Sequence, residues 1–391
     1  MIFIRFKLYN LKQIYLGGIM RFLAMLITAI LIVACSKSDQ KNYTVKEING
    51  IKTFKNSTKP SQKLEIKPQK LFTINGDNLD SLQVLKMPMK VSIDSNKDIY
   101  ILDIMQSNIK KYDSNGNFIK VISKHGMGPG ELTYPNGMAL IEDTIYVANQ
   151  PQKKIIKFDK DGNFVGEIFI PDGTTQMFQE VGKDKIIGYV PSKDLEKQQL
   201  NINLSILDKK FKVIKELTKG EIKFGDSNVN VLDLIFPYTA SNKEIFVSEN
   251  SDDRYLINVY SFDGKPIYNI EKQYRKLKIS EKELEDLNRI MGKTGVGSSG
   301  NKVTTKYKKA INDLFVDNKG RLWVKCSIDR NENNSNDYVV DIFKDGIFLD
   351  RVVFDGITGK DFFNPTNMTF VYDDRIYIFD MEGSSLSVYK Y

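Results

Sequence analysis

The chain has 391 residues, of which 41% are hydrophobic and 27% charged, an ordinary globular composition with ample material for a large core. Its formal charge of +8 overstates its basicity. Residues 1–34 hold Arg5, Lys7, Lys12 and Arg21 and no acid, so without them 53 basic residues face 49 acidic ones, near +4. That balance argues against nucleic acid as a partner. The 19 tyrosines and 23 phenylalanines lean toward sheet.

The first element is an export signal. From Met20 the chain reads Arg21, an apolar run Phe22–Val33, then Ala34 and Cys35. A short basic head, a short apolar segment and a small residue at the cut site describe a secretory signal. The run is shorter than the roughly 20 residues that span a bilayer. Ile32-Val33-Ala34-Cys35 resembles the lipobox of bacterial lipoproteins. That resemblance implies lipidation of Cys35, a membrane anchor and a cell-envelope location, periplasmic or on the outer-membrane surface. Residues 1–34 are therefore expected to be leader and signal peptide, with Met20 as the natural start, and residues 35–62 a polar, flexible tether. With Cys35 lipidated, Cys326 has no disulfide partner; in "RLWVKCSI" it alternates with Leu322 and Val324 and reads as a small buried hydrophobe.

A repeat fills residues 63–391. "VSIDSNKDIYILDIMQSNIKKYDSNGNFIKVI" (Val91–Ile122) matches "MALIEDTIYVANQPQKKIIKFDKDGNFVGEIF" (Met138–Phe169) almost position for position. Looser copies place their short apolar strand at Ile186, Ile245, Leu322 and Ile376. The hairpins carry Asn115-Gly116, Asp161-Gly162, Asp263-Gly264 and Asp345-Gly346, pairs that tolerate the positive φ of tight turns. Six copies of four strands predict an all-β fold, a six-bladed β-propeller. The last copy stops at Tyr391 after its third strand, and "KLFTIN" (Lys70–Asn75) precedes the first copy as an orphan. The N-terminal strand is therefore expected to close the last blade and abolish the open edge.

One insertion interrupts the repeat at about 273–309. Ser280 and Glu283 form a capping box, and Leu284, Leu287 and Ile290 recur at helical spacing, predicting a helix over 281–292. "GKTGVGSSGNK" follows as a Gly-Ser loop, and the whole insertion reads as either a lid, a docking surface or a rim decoration. Gly-Lys-Thr there lacks the upstream glycine and strand of a phosphate loop.

"GMGPGELTYPNGMALIEDTIYVANQPQKKIIKFDKDGNF" resembles an NHL repeat, with its Gly-rich link, Pro-x-Gly, "IYVAD"-like strand and "I-x-x-F-D-x-x-G" hairpin. The likeness is good over the first two copies and faint beyond. The chain as a whole resembles the TolB-like, six-bladed β-propeller lipoproteins of Bacteroidota, which implies architecture more than activity. On this reading Gly126, Gly128 and Gly130 form a joint between blades.

A lone histidine, His125, and one remaining cysteine cannot build a zinc site of about three ligands, or the several-histidine zinc site that the resemblance to amidating lyases would imply. No Gly-x-Ser-x-Gly elbow supports a Ser-His-Asp triad. No catalytic residue, metal site or resident cofactor is assigned. The candidate ligand-binding residues are those at the starts of the inner strands and the link histidine: Lys90, His125, Asn136, Glu180, Tyr238, Asn312, Asp313 and Asn367. The expected function is a membrane-anchored, extracytoplasmic binding module for an envelope protein, a peptide or a glycan, and not an enzyme. The alternative is a Ca²⁺-dependent hydrolase of the lactonase-like type, with Asn136, Glu180, Asn312, Asp313 and Asn367 as an oxygen cage. Lys90 in the same ring opposes a cation.

Overall fold

The computed structural model describes residues 41–75, 82–171, 173, 175–194, 196–223, 231–293, 303–329, 337–358, 367–380 and 385–391. Cys35 and the signal segment lie outside them. Three strands precede the first repeat: β1 (Tyr43–Ile48), β2 (Ile51–Asn56) and β3 (Gln69–Asn75). Blade 1 contains β4 (Pro88–Ile93), β5 (Ile99–Asp103), β6 (Asn108–Tyr112) and β7 (Phe118–Ile122). Blade 2 contains β8 (Pro135–Ile141), β9 (Thr144–Asn149), β10 (Lys154–Asp159) and β11 (Phe164–Phe169). Blade 3 contains β12 (Gln176–Val181), β13 (Lys185–Asp194), β14 (Gln199–Asp208) and β15 (Val213–Lys223). Blade 4 contains β16 (Tyr238–Ala240), β17 (Ile245–Ser248), β18 (Tyr255–Tyr260) and β19 (Pro266–Lys272). Blade 5 contains β20 (Ile311–Val316), β21 (Leu322–Cys326), β22 (Asp337–Lys344) and β23 (Ile347–Thr358). Blade 6 contains β24 (Asn367–Tyr372), β25 (Arg375–Asp380), β26 (Ser385–Lys390) and, as its outer strand, β3.

The protein is thus a six-bladed β-propeller of four-stranded blades with, among the described residues, a single short α-helix, and its first blade-forming strand closes the last blade. Leu386 faces Ile74 and Val388 faces Phe72 across the antiparallel β26–β3 pair. Ile74 also joins Val91, Ile99, Tyr377 and Phe379 in the core between blades 6 and 1, so closure is apolar as well as hydrogen-bonded. The hydrophobic cores lie between adjacent blades rather than at the centre. That explains why β5 "IYILD" has no polar face: both of its sides meet neighbours, and all five residues are buried. Outer strands such as β11 alternate half-buried and exposed.

The repeat's polar punctuation has a job at each site. The residue ending the second strand holds the link entering the innermost one. Asp103 accepts from the backbone N–H groups of Lys86 (2.7 Å) and Met87 (3.2 Å), and Asn149 accepts from Thr133 and Tyr134 (3.2 Å each). In the outer hairpins Asp113 accepts from the backbone of Asn115 and Asn117 at 2.8 Å, and Asp159 does the same for Asn163. Gly116 has φ +85°, and a Cβ there would come within 2.6 Å of Phe72 on the neighbouring blade.

Much of the expected tether is ordered sheet. β1 and β2 form a hairpin through Asn49 and Gly50, both at positive φ (52° and 76°), and β2 adds in parallel to β19 of blade 4. Asn56, almost fully buried, donates to the carbonyls of Glu271 (3.1 Å) and Gly346 (3.0 Å) and accepts from Phe348 N–H (2.8 Å), stapling blade 4 to blade 5. The chain then crosses the outer strand of blade 5, where Ser61 and Gln62 N–H reach Phe348 and Leu349 carbonyls and Leu64 N–H reaches Asp350. Residues 43–75 therefore run as a belt over the outer edges of blades 4, 5 and 6. The physical reason is that the lysines of this segment face outward while Thr53, Phe54 and Asn56 face in and are buried.

Candidate functional site

Strand direction alternates within each blade, so the inter-blade links and the loops between second and third strands share one face of the wheel. Ser107 Oγ donates to Thr133 O (2.8 Å), and Gln152 Nε2 to Gly126 O (3.0 Å), tying those two kinds of loop together. The Gly-rich link is a joint, as its sequence implies. Glu131 folds back to accept from Gly128 N–H (2.8 Å), and this bond, with Lys124 nearby, holds its carboxyl below the usual range. The space a Cβ on Gly126 would need is taken by that carboxylate.

The innermost strands converge on a central cavity of about 260 Å³ that opens on this face. A shared irregularity aims its residues. In β4, β8 and β20 the pairing skips one residue near the strand start: Met89, Asn136 and Asn312. In β12 the register slips between Gln176 and Gln179. Bulges of this kind bend the strand and redirect side chains.

Five of the candidate residues line the cavity together: Lys90, Asn136, Tyr238, Asn312 and Asp313. Three do not. Glu180 points away, 4.0 Å from Lys209, and burial raises its carboxyl pKa. Its neighbour Gln179 takes the central position, because the slip in β12 moves the parity of the strand by one. His125 is exposed on the link, with Nδ1 3.4 Å from Ser107 Oγ. Asn367 opens β24, but its side chain lies outside the described residues.

Lys325, Tyr189 and Gln179 complete the site. Lys325 stands opposite Asp313 in the β20–β21 register and is almost fully buried, its Nζ 5.3 Å from the Tyr338 ring centre. A repeat-by-repeat comparison carries the signal: Lys325 occupies the position of Leu102 in β5 and Ala148 in β9. Burial pushes the Asp313 carboxyl up to about 6, against the pull of Lys325, the Leu314 N–H (2.9 Å) and Lys90. Burial likewise lowers the Lys90 ammonium to about 8, against the attraction of Asp313. Lys90 Nζ lies 4.8 Å from the Phe370 ring centre, and among the described residues no carboxylate comes within 4.0 Å of it. Charged groups held this far from their ordinary pKa inside a cavity mark functional sites more often than structural ones.

The polar atoms are unevenly satisfied. Tyr189 OH donates to Phe236 O (2.6 Å) and accepts from Phe236 N–H (3.0 Å), and Tyr238 OH donates to Met177 O. The two rings pack edge to face at 5.4 Å. Asn312 is 2% exposed, and its Nδ2 donates to Ser327 Oγ (3.0 Å) while its Oδ1 has no partner among the described residues. Asn136 Oδ1 and Gln179 Nε2 are likewise buried without partners. Among the described residues no Ser, Cys or His lines the cavity. Among the described residues no group of three His, Cys, Asp or Glu is placed to hold a metal ion, and no helix is long and apolar enough to cross a membrane.

The helix α1 (Glu281–Lys293) stands on the same face, and none of its described side chains lines the cavity. Its capping box forms as expected: Ser280 N–H donates to Glu283 Oε2 (2.9 Å), and Glu283 N–H to Ser280 Oγ (3.3 Å). Leu284 and Leu287 pack on Leu232 of the preceding link and on Val303, which also exchanges hydrogen bonds with Asn288 (2.7 and 3.1 Å). The Gly-Ser loop after it lies outside the described residues.

Comparison with known proteins adds the family. A family model described as "6-bladed beta-propeller" matches residues 83–286, just over half of the chain. No curated protein matches. Among solved structures, a putative exported protein from Bacteroides fragilis is 14% identical with a TM-score of 0.49, covering 86% of this chain and 98% of its own. A gluconolactonase from Xanthomonas campestris is 12% identical (TM-score 0.44, 84% and 96% covered), and virginiamycin B lyase from Staphylococcus aureus is 12% identical (TM-score 0.40, 82% and 99%).

Proposed function

The chain belongs to the 6-bladed beta-propeller family, and from that premise we propose that it is an exported, lipid-anchored binding module. A peptide or glycan group enters the mouth of its channel and is held there without being transformed. The observation that carries this reading is the mouth itself. Lys90, Asp313 and Lys325 meet there with unpartnered amide atoms of Asn136, Gln179 and Asn312, and among the described residues no Ser, Cys or His stands beside them. Buried polar groups without partners cost stability that a ligand offsets. Among the described residues two ammonium groups, Lys90 and Lys325, line the channel, and their charge disfavours Ca²⁺, so the channel is not read as a lactonase-like cation site. The sequence around Cys35 supports export and acylation.

Glycan and peptide arrays probed with the wild-type chain and with Lys90→Met and Asn312→Ala test the reading. Hits lost in the variants map to the mouth; hits that persist unchanged in both overturn it. A thermal midpoint that rises several degrees with Ca²⁺ and falls back with EDTA would favour the enzyme instead. Incorporation of labelled palmitate, lost in Cys35→Ser, tests the anchor.

A further inference from the structure

We infer that the N-terminal belt is a docking surface for the anionic headgroups of a phospholipid membrane, which it meets edge-on. This rests on the reading of Cys35 as acylated and names the face that the anchor brings to the lipid. Charge is unevenly placed along the chain. Residues 41–75 hold eight lysines and two glutamates, a net +6, whereas residues 76–391 hold 44 basic and 46 acidic residues, a net −2. Residues 35–40 add one lysine and one aspartate. The belt thus carries all of the excess positive charge beyond the signal, and it lies on one side of the wheel, over blades 4, 5 and 6.

That charge is also available. Lys55 pairs with Glu271 (3.3 Å), and Lys41 is engaged as well. Lys46, Lys52, Lys59, Lys63, Lys67 and Lys70 are exposed, and none of them forms an ion pair with a described residue. Protection of a sheet edge does not account for them. Edges are guarded by charge of either sign, and β15, the uncovered edge of blade 3, mixes Lys215 and Lys219 with Glu216 and Glu221, Lys219 lying 2.6 Å from Glu221. In the belt Lys59, Lys63 and Lys67 lie between strands rather than in one. The occupant follows from charge and chain length together. Cys35 stands eight residues before Tyr43, and eight residues reach at most about 28 Å, so acyl chains on that cysteine bring the start of the belt to the headgroups. An acyl anchor and a basic surface are the pair of signals that hold a protein stably on anionic lipid. A flat surface laid against a convex rim touches its middle first. Ser61, Gln62 and Leu64 hydrogen-bond to the outer strand of blade 5, the middle one of the three. Lys59, Lys63 and Lys67 therefore make the contact, and the outlying lysines act through the field, over a Debye length of about 10 Å.

Vesicle flotation of the mature chain, residues 35–391 with Cys35→Ser so that no acyl group contributes, tests this. The vesicles are phosphatidylcholine alone or with about one third phosphatidylglycerol, at about 50 mM and about 300 mM salt. The expected result is binding at least about 10-fold tighter to the anionic vesicles at low salt, largely lost at high salt. Each lysine at an anionic surface is worth about 5-fold, so Lys59→Gln, Lys63→Gln and Lys67→Gln together should weaken binding by about 10- to 100-fold. Lys120→Gln, Lys153→Gln and Lys183→Gln remove the same charge from exposed positions on the uncovered blades 1 to 3 and should change it less than about 2-fold. Thermal melts check that both triple variants fold. Equal binding to the two vesicles, no binding to either, or equal loss in the two triple variants overturns the inference. So does a sulfated polysaccharide that strips the chain from anionic vesicles by binding it more tightly, which assigns the belt to a glycan. The anchor is judged apart: anionic-vesicle binding that meets these marks while Cys35 takes no palmitate upholds the belt and sinks the acylation alone.

Discussion

Replacing Lys90 with methionine should stabilise the free protein while crippling its mouth. Burial lowers the Lys90 ammonium from 10.5 to about 8, against the pull of Asp313. At about 1.4 kcal/mol per pKa unit, holding that proton in the folded state costs about 3 kcal/mol. Lys90 remains partly accessible from the channel, and its removal also withdraws attraction from Asp313, so about half of the cost should be recovered. Methionine keeps the contact with Phe370. The expected gain at pH 7 is about 1–2 kcal/mol, a rise of about 2–5 °C in melting temperature. The pH dependence gives the sharper test. Below pH 8 both folded and unfolded wild type carry the Lys90 proton, and the cost is fully present. Between 8 and 10.5 the unfolded chain binds more protons than the folded one, so wild-type stability rises with pH and the advantage of Lys90→Met fades. Urea denaturation of both proteins at pH 6.5, 8 and 9.5 measures it. A variant that is less stable than wild type at pH 6.5, or an advantage that does not shrink by 9.5, would show that Lys90 is a structural lysine.

Three further outcomes follow from groups outside the cavity. Asp341 is fully buried between blades 4 and 5, with Lys272 at 2.8 Å, Arg351 at 2.7 and 3.1 Å and Tyr255 OH at 3.1 Å. Burial pushes its carboxyl up, but Lys272 and Arg351 outweigh that and hold it down to about 2; Asp341→Asn should cost about 3–5 kcal/mol at pH 7, and the deficit should narrow as pH falls from 4 toward 2, where wild type loses the charge as well. Asn56→Ala leaves the Phe348 N–H and two carbonyls unpaired and should cost about 1–3 kcal/mol by chemical denaturation, whereas a dispensable N-terminal segment would show no change. Cys326, its thiol raised to about 12 by burial and by Asp341, should resist a thiol reagent in the folded protein and react fully in guanidinium; rapid modification of the native chain would contradict the packing.

The blades are legible because each carries the same two signals, an apolar strand buried on both sides and a hairpin pinned by Asp and Gly. The belt is hidden by composition. Eight lysines in 41–75 make that stretch read as solvated linker, yet Asn49-Gly50 lies between "YTVKEI" and "IKTFKN", a hairpin pattern whose inward face is only Thr53, Phe54 and Asn56. The site is half legible for a different reason. Counting from strand starts finds Lys90, Asn136, Asn312 and Asp313, but the slip in β12 exchanges Glu180 for Gln179, and nothing in "TTQMFQEV" announces it. Lys325 is missed because strand periodicity treats it as one polar residue in an apolar run, when the other copies hold Leu102 and Ala148 there.

The architecture separates polar groups that hold the wheel from those that serve its centre. A propeller places its hydrophobic cores between blades, so stability does not require anything in particular of the innermost side chains. Between blades two buried carboxylates are well partnered: Asp341 accepts from two cations and a phenol, and Asp317 accepts from Arg321 Nε (2.6 Å) and Trp323 Nε1 (2.9 Å), although Arg321 Nη2 itself has no partner among the described residues. In the channel the charges are less well partnered. Lys90 and Asp313 are both displaced by burial in the direction that disfavours their charges, and three amide atoms are left unpaired. A fold free to fill its centre with apolar residues, or to pair these groups as it pairs Asp341, instead keeps them costly and incomplete. Such a cost is borne where something else completes the set, and the belt over blades 4 to 6, with β3 sealing the ring, supplies the rigidity that lets the mouth stay preorganised for it.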